Sequence, residues 1–256
     1  MLLAIDVGNT QAVFGLWDGS AWASIWRRAT SPGETEDELA VWLRGLFDLA
    51  ELPFTVDSVV CASVVPQMNF ALTHMSSKWF GCDAVFLTTG ASLGLTVDYD
   101  PPHAVGADRL ANALAALRRF EPPIIVVDFG TATTFDAISR EGHYAGGAIL
   151  PGIEIAAQAL IGRTAKLPQF ELAFPERAVG RTTVESLQAG LMLGYAGAID
   201  SLAARMDQEL GGGATIVSTG GLGGIFAGAC QSIREYIPNL TLDGLVLAHG
   251  RLKAGE

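Results

Sequence analysis

One short pattern occurs twice in this sequence, and the repeat limits what the chain can fold into. Near the start, the apolar run Leu2-Leu3-Ala4-Ile5 ends in Asp6, and Val7 and the turn Gly8-Asn9-Thr10 follow; Gln11-Ala12-Val13-Phe14-Gly15-Leu16 leaves as a second apolar run. Near the middle, Ile124-Ile125-Val126-Val127 ends in Asp128, then come Phe129, Gly130, Thr131-Ala132-Thr133-Thr134 and an outgoing run to Ile138. Asp6 aligns with Asp128 and Gly8 with Gly130. Apolar runs bounded by turn residues read as paired strands, so each copy predicts an antiparallel hairpin with an acid at its mouth and with Gly and Asn taking the unusual backbone angles. The amides of Gly8, Asn9 and Thr10 can face an anion, and the acid can hold a hydrated cation. From the residues alone two readings stay open: two ordinary hairpins, or an internal duplication with two phosphate loops facing one cleft.

The rest of the chain sets these hairpins in an α/β layer architecture. Residues 20–28 continue the first hairpin as a strand. Leu39, Leu43 and Leu46 share one face of a helix over 35–49, whose N-terminal end carries Glu34, Glu36, Asp37 and Glu38. A strand over 56–63, a helix over 69–79 and a strand over 84–87 follow. The stretch 95–105 is polar, aromatic and stiffened by Pro101 and Pro102, as a binding loop is. A helix over 109–120 ends at Glu121-Pro122-Pro123, which places a domain boundary between 1–121 and 122–256. The second half repeats the plan: strands over 124–138 and 144–150, a helix over 151–161, a helix over 184–210 capped by Thr182 with Glu185, and a strand over 215–218. The loop Thr219-Gly220-Gly221-Leu222-Gly223-Gly224, a helical segment from Ile225 and a last helix over 242–253 complete the chain.

Composition then narrows the function. The net charge of −11 argues against a nucleic-acid backbone binder, which needs a basic stripe. It is compatible with a nucleotide pocket, where backbone amides and a metal carry the charge. Three cysteines and four histidines are scattered without metal or redox spacing, which fits a reducing cytoplasm. The first residues lead directly into Asp6 with no basic region or cleavage site, so no signal peptide is expected. The apolar stretch 189–199 is too short to span a bilayer. No Walker-type Gly-x-x-x-x-Gly-Lys-Ser/Thr occurs, and the glycine-rich loop after residue 219 does not match Gly-x-Gly-x-x-Gly.

Two Asp-x-Gly hairpins and a late Thr-Gly-Gly loop resemble the actin, hexokinase and Hsp70 ATPase superfamily. Within it, the chain resembles type III pantothenate kinases over nearly its whole length. The residues that carry the resemblance are Asp6-Val7-Gly8-Asn9-Thr10, Gly106-Ala107-Asp108-Arg109, Asp128-Phe129-Gly130-Thr131-Ala132-Thr133-Thr134, Gly146-Gly147-Ala148-Ile149-Leu150-Pro151-Gly152, Thr183-Val184-Glu185 and Thr219-Gly220-Gly221. Gln11 departs from the Asn or Arg usual in the family, and Gly223-Gly224 stand where many relatives carry a bulkier residue.

The resemblance implies duplicated ribonuclease H-like (actin-like) domains with a nucleotide cleft between them. The implied activity is ATP-dependent phosphorylation of pantothenate, the opening step of coenzyme A synthesis. Asp6 through Val13 (Asp6, Val7, Gly8, Asn9, Thr10, Gln11, Ala12 and Val13), together with Thr131, Gly220 and Gly221, would meet ATP. Asp6 would organise Mg2+ and the phosphates, and Asp128 would hold a monovalent cation, K+ or NH4+. Asp108, which from the residues alone is a helix N-cap, becomes the proton acceptor. Tyr99, Gly106, Ala107, Arg109 and Thr183 would contact pantothenate, Arg109 through its carboxylate. From sequence alone Arg109 reads as a solvated helix-start residue. A homodimer is implied in which Thr183 completes the partner's site. A nucleotide-binding regulatory protein on the same fold is the alternative of a different class, since some relatives were first described as transcription accessory factors.

Overall fold

The computed structural model describes residues 1–254, which divide into two compact units. The first unit has a five-stranded sheet of β1 (Leu2–Val7), β2 (Gln11–Trp17), β3 (Trp22–Ala29), β4 (Ser58–Ser63) and β5 (Ala84–Phe86), in the order β3-β2-β1-β4-β5. β1, β2 and β3 form an antiparallel meander; β4 lies parallel to β1, and β5 parallel to β4. Helices α1 (Glu36–Leu49), α2 (Pro66–Met75) and α3 (Ala107–Arg119) belong to the same unit.

Alternation along β1 decides what Asp6 can face. Leu3, Ile5 and Val7, with Phe14 and Leu16 of β2, enter a core with Leu39, Leu43 and Phe47 of α1 and Met68 and Leu72 of α2. Ala4 and Asp6 therefore point to the other face. Gly15 is the partner of Ala4, and a Cβ on it would come within 3 Å of the Trp22 ring and of Leu242. α1 begins with a reciprocal cap in which Thr35 accepts from the Glu38 amide and Glu38 accepts from the Thr35 amide. β3 starts two residues later than the sequence predicts, because the Asp18 carboxylate accepts from the amides of Ser20 and Ala21 and holds them in the turn.

The second unit repeats the plan. Its sheet contains β6 (Ile124–Phe129), β7 (Ala132–Ile138), β8 (Tyr144–Pro151), β9 (Thr215–Gly220) and β10 (Glu235–Tyr236), in the order β10-β9-β6-β7-β8. Again the first three strands are an antiparallel meander, and the last two join in parallel on the far side of the first. α4 (Ile153–Gly162), α5 (Thr183–Gln188), α6 (Gly194–Glu209) and α7 (Gly223–Ala227) accompany it. Ile125, Val127 and Phe129 pack with Ile153, Met192, Ile199 and Phe226, so Asp128, like Asp6, points away from its unit's main cluster. The single helix predicted over 184–210 is α5 and α6 joined by a π-helical turn, Ala189–Leu193.

The last helix, α8 (Leu240–Ala254), packs on α3 and β1 and belongs with the first unit. A division at 121/122 assigns it to the second half. Gly244 explains its place: a Cβ there would sit 2.0 Å from the Ala111 carbonyl oxygen, so the two helices touch backbone to backbone. Thr241 donates to Asn112 Oδ1 at 2.8 Å, and Asp243 accepts from Trp22 Nε1 and Arg119. A local sequence pattern shows that this helix exists but not which unit it joins. Among the described residues, no helix is long and apolar enough to cross a membrane.

Candidate active site

The first turn differs in detail from its predicted form. Gly8 donates its N–H to the Gln11 carbonyl at 3.0 Å, closing the hairpin, so this amide is used inside the turn and cannot face an anion. Neither Gly8 nor Asn9 has a positive φ; Glu51 is the one non-glycine residue that does among the described residues. Gly8 and Gln11 continue the Val7–Ala12 register as the closing pair, so Asn9 and Thr10 form the turn, and they do so without a left-handed backbone angle. The Gly8 requirement is closeness: a Cβ would meet the Gln11 carbonyl oxygen at 3.1 Å. Asn9, Thr10 and Gln11 are exposed and reachable, whereas Val7 and Ala12 are buried. Asp6 is half-buried at the end of β1.

Gly106, Ala107, Asp108 and Arg109 form the start of α3. Asp108 is the second residue of the helix, two positions beyond Gly106, whose carbonyl accepts from the Leu110 amide, and the Asp108 Oδ1 accepts from the Arg109 amide at 2.9 Å. A Cβ on Gly106 would lie 2.4 Å from Asp108 Oδ1, so glycine there leaves the room in which the carboxylate folds back. Burial pushes the Asp108 pKa above the ordinary aspartate value; the Arg109 amide and the Arg109 charge oppose the shift. Groups shifted in this way by burial cluster at functional sites. Arg109 is buried, at 8% exposure, so the solvated reading of it does not hold. Tyr99, in the Pro-stiffened loop, is half-buried.

In the second unit, β6 and β9 bring the predicted residues together. Asp128 is paired with Thr219 and Phe129 with Gly220. Gly220 has φ +85°, and a Cβ on it would approach Asp128 Oδ1 to 2.5 Å. Gly130 closes the second hairpin by donating to the Ala132 carbonyl at 3.1 Å. Thr131 is exposed in that turn, and Gly221 is exposed after β9. Thr183 stands on a different element, exposed as the first residue of α5; Thr182 caps that helix by accepting from the Glu185 amide at 3.2 Å.

Three residues at these loops escaped sequence reasoning as site residues. Gly152 donates to the Thr131 carbonyl at 3.1 Å, and a Cβ on it would strike the Thr131 and Gly130 carbonyl oxygens; the Pro151-Gly152 pair after a strand was the available signal. The Tyr195 hydroxyl lies 2.8 Å from both Thr133 Oγ1 and the Pro151 carbonyl oxygen. Tyr236 donates to the Gly220 carbonyl at 3.1 Å, and its ring occupies the space beside Gly223 and Gly224. Nothing local in the sequence ties either tyrosine to these loops.

Among the described residues, no three or more His, Cys, Asp or Glu side chains cluster as an all-protein metal cage. Asp6 in the first unit supplies a hard oxygen donor near the end of β1, the donor type that Mg2+ takes together with substrate phosphates, and Asp128 in the second unit supplies a hard oxygen donor near the end of β6.

Two sheets of one topology, each with an Asp at the end of its first strand and a tight turn after it, define an actin-like ATPase fold of two domains. Solved structures agree on the fold. One from Campylobacter jejuni, described under the Baf transcriptional-activator family, matches with a TM-score of 0.63 at 20% identity, covering 99% of this chain and 98% of the other. The activator of the 2-hydroxyisocaproyl-CoA dehydratase from Clostridium difficile, with bound ADPNP, matches with a TM-score of 0.52 at 14% identity, covering 99% and 96%. The type III pantothenate kinase profile matches residues 2–205. Proteins named type III pantothenate kinase from Anaeromyxobacter sp. (strain Fw109-5) and Myxococcus xanthus are 46% and 45% identical over 98% of this chain, covering 99% and 98% of their own lengths. The chain belongs to the type III pantothenate kinase family.

Proposed function

We propose that this protein transfers the γ-phosphoryl group of ATP to pantothenate, forming 4'-phosphopantothenate, the first step of coenzyme A biosynthesis. The observation that carries this is the near-full-length similarity to proteins named for the activity, with the acids and glycines of the motifs in ordered positions at strand and helix ends. Phosphoryl transfer asks the protein mainly for alignment, charge neutralisation and a group that takes the hydroxyl proton.

The roles divide by element. The Asp6–Val13 hairpin, with Thr131, Gly220 and Gly221, holds ATP. Gly8 contributes close backbone approach, because its N–H is used in the turn, and Asp6 directs Mg2+ and the phosphates. Asp128 holds a monovalent cation. Asp108 accepts the proton of the pantothenate hydroxyl; Tyr99, Gly106, Ala107 and Arg109 contact pantothenate, and the Arg109 fork matches its carboxylate. Bound Mg2+ would neutralise phosphate charge.

Assembly as a homodimer with Thr183 reaching the partner's site is part of the proposal. Support comes from the helical stretch after Thr183, where a Cβ built on Gly190, Gly194 or Gly197 meets nothing within 4 Å. Their spacing puts them on one face, opposite the buried Met192, Ala196 and Ile199. An open small-residue face lets a second helix approach closely. We place the enzyme in the cytoplasm, where ATP is supplied and its cysteines stay reduced.

The test is ADP release by purified protein, coupled to a reporter enzyme. It should require both pantothenate and Mg2+. ATP binding with no pantothenate-dependent turnover would favour a nucleotide-binding regulator instead.

A further inference from the structure

The two hairpin turns are held from the same place by different chemistry. In both units, the residue that follows the third strand of the meander donates its N–H to the last carbonyl of the turn. Thr30 donates to Thr10 at 2.9 Å, and Gly152 donates to Thr131 at 3.1 Å. The register confirms the equivalence, since Gln11 pairs with Ala29 and Ala132 with Pro151. The side chains differ. Thr30 also donates its hydroxyl to the Gly8 carbonyl at 2.6 Å. At Gly152 no side chain fits, because a Cβ would lie 2.3 Å from the Thr131 carbonyl oxygen and 2.6 Å from that of Gly130.

We propose that Thr30 is the positioning residue of the first phosphate loop: its hydroxyl and amide fix two peptide planes so that the amides of Asn9 and Gln11 face the nucleotide phosphates. In a trans peptide the C=O and the following N–H point in opposite directions. Drawing the Gly8 carbonyl toward β3 turns the Asn9 N–H away from β3. Drawing the Thr10 carbonyl the same way turns the Gln11 N–H away as well. Two amides aimed to one side make an anion-binding concavity. Gly8 cannot contribute its own amide, which closes the hairpin, so the orientation of the next peptides decides what the loop offers a phosphate.

The segment that carries Thr30 is itself anchored. Arg28 and Glu34 form an ion pair across it, both largely shielded, and the Arg28 guanidinium lies 4.8 Å from the centre of the Trp42 ring. Glu34 donates its amide to the Ser31 carbonyl at 3.1 Å. A clamp on a fixed segment holds the turn in one geometry before nucleotide arrives, which lowers the cost of binding.

This inference rests on the reading of the Asp6–Val13 hairpin as the ATP loop, and the experiment separates the two. Binding of adenylyl-imidodiphosphate with Mg2+ is measured by calorimetry for the wild type, Thr30→Val, Thr30→Ala and Thr30→Ser, with KM for ATP and for pantothenate and the thermal midpoint alongside. Thr30→Val keeps shape and the amide but loses the hydroxyl, and one neutral hydrogen bond corresponds to about a five- to ten-fold loss. The expected result is that loss in analogue affinity and in KM for ATP for Val and Ala, an unchanged KM for pantothenate, and recovery in Thr30→Ser. Unchanged analogue affinity in folded Thr30→Val and Thr30→Ala, or an equal rise in both KM values, overturns the clamp. A wild type that binds no analogue overturns the nucleotide reading beneath it.

Discussion

Gly220 stands directly against Asp128. β9 is parallel to β6 with Gly220 beside Phe129, and only the missing side chain keeps Gly220 clear of Asp128 Oδ1, which a Cβ would approach to 2.5 Å. The acid of the second hairpin and the glycine loop after the fourth strand are therefore one structural unit. Gly220 also has φ +85°, where an L side chain is strained. Gly220→Ala should cost on the order of 1–3 kcal/mol in stability and raise KM for ATP, read from thermal melts and initial rates. Unchanged values would mean that this loop relaxes freely.

Asp108→Asn should lower kcat by a factor on the order of 10² or more, the scale of a general base. The pH dependence has a definite sign. Burial raises the Asp108 pKa, and the base acts as the carboxylate. Turnover should therefore fall, as pH is lowered, at a pH above the ordinary aspartate value of about 3.9. Stability runs the other way. A carboxyl whose pKa is raised by folding stabilises the protein fully below the unfolded pKa, and that contribution is lost as pH rises through the folded pKa. Asp108→Asn should thus melt higher than wild type at neutral pH, with the gap closing below about pH 3.9. A folded Asp108→Asn enzyme with wild-type turnover would leave Asp108 a purely structural role at the start of α3.

Much of this architecture was legible in the sequence because it rests on short-range signals. The two Asp-x-Gly runs marked the first hairpin of each sheet, and Thr182 with Glu185 marked the start of α5. Long-range facts were not legible. The placement of α8 depends on Gly244 meeting Ala111, a contact between residues far apart in sequence. The use of the Gly8 amide inside its own turn depends on loop length and pairing register. Tyr236 accounts for the departure at Gly223-Gly224: its ring fills the space a larger side chain would take, 2.8 Å from a Cβ on Gly223.

If Asp128 holds a monovalent cation, the rate in potassium or ammonium should exceed that in sodium at equal ionic strength, and Asp128→Asn should remove the difference. Equal wild-type rates in the three salts would contradict the assignment.

Shared sites give a quantitative expectation. Asp108→Asn and Thr183→Val chains, each inactive alone, should regain activity when refolded together, because a mixed dimer rebuilds one intact site. Random pairing makes about half the dimers mixed, so activity should reach roughly a quarter of wild type if the sites are independent. No recovery, with mixed dimers present, would mean that Asp108 and Thr183 serve the same chain's site or that Thr183 has no shared role.

Following the phosphoryl group itself decides whether this enzyme phosphorylates pantothenate. Protein is incubated with Mg2+, pantothenate and ATP labelled at the γ-phosphate, and the products are separated. Label should appear in 4'-phosphopantothenate, in step with ADP, and should depend on pantothenate. Label found only in inorganic phosphate or remaining in ATP, from folded protein that binds the nucleotide, would contradict phosphoryl transfer to pantothenate.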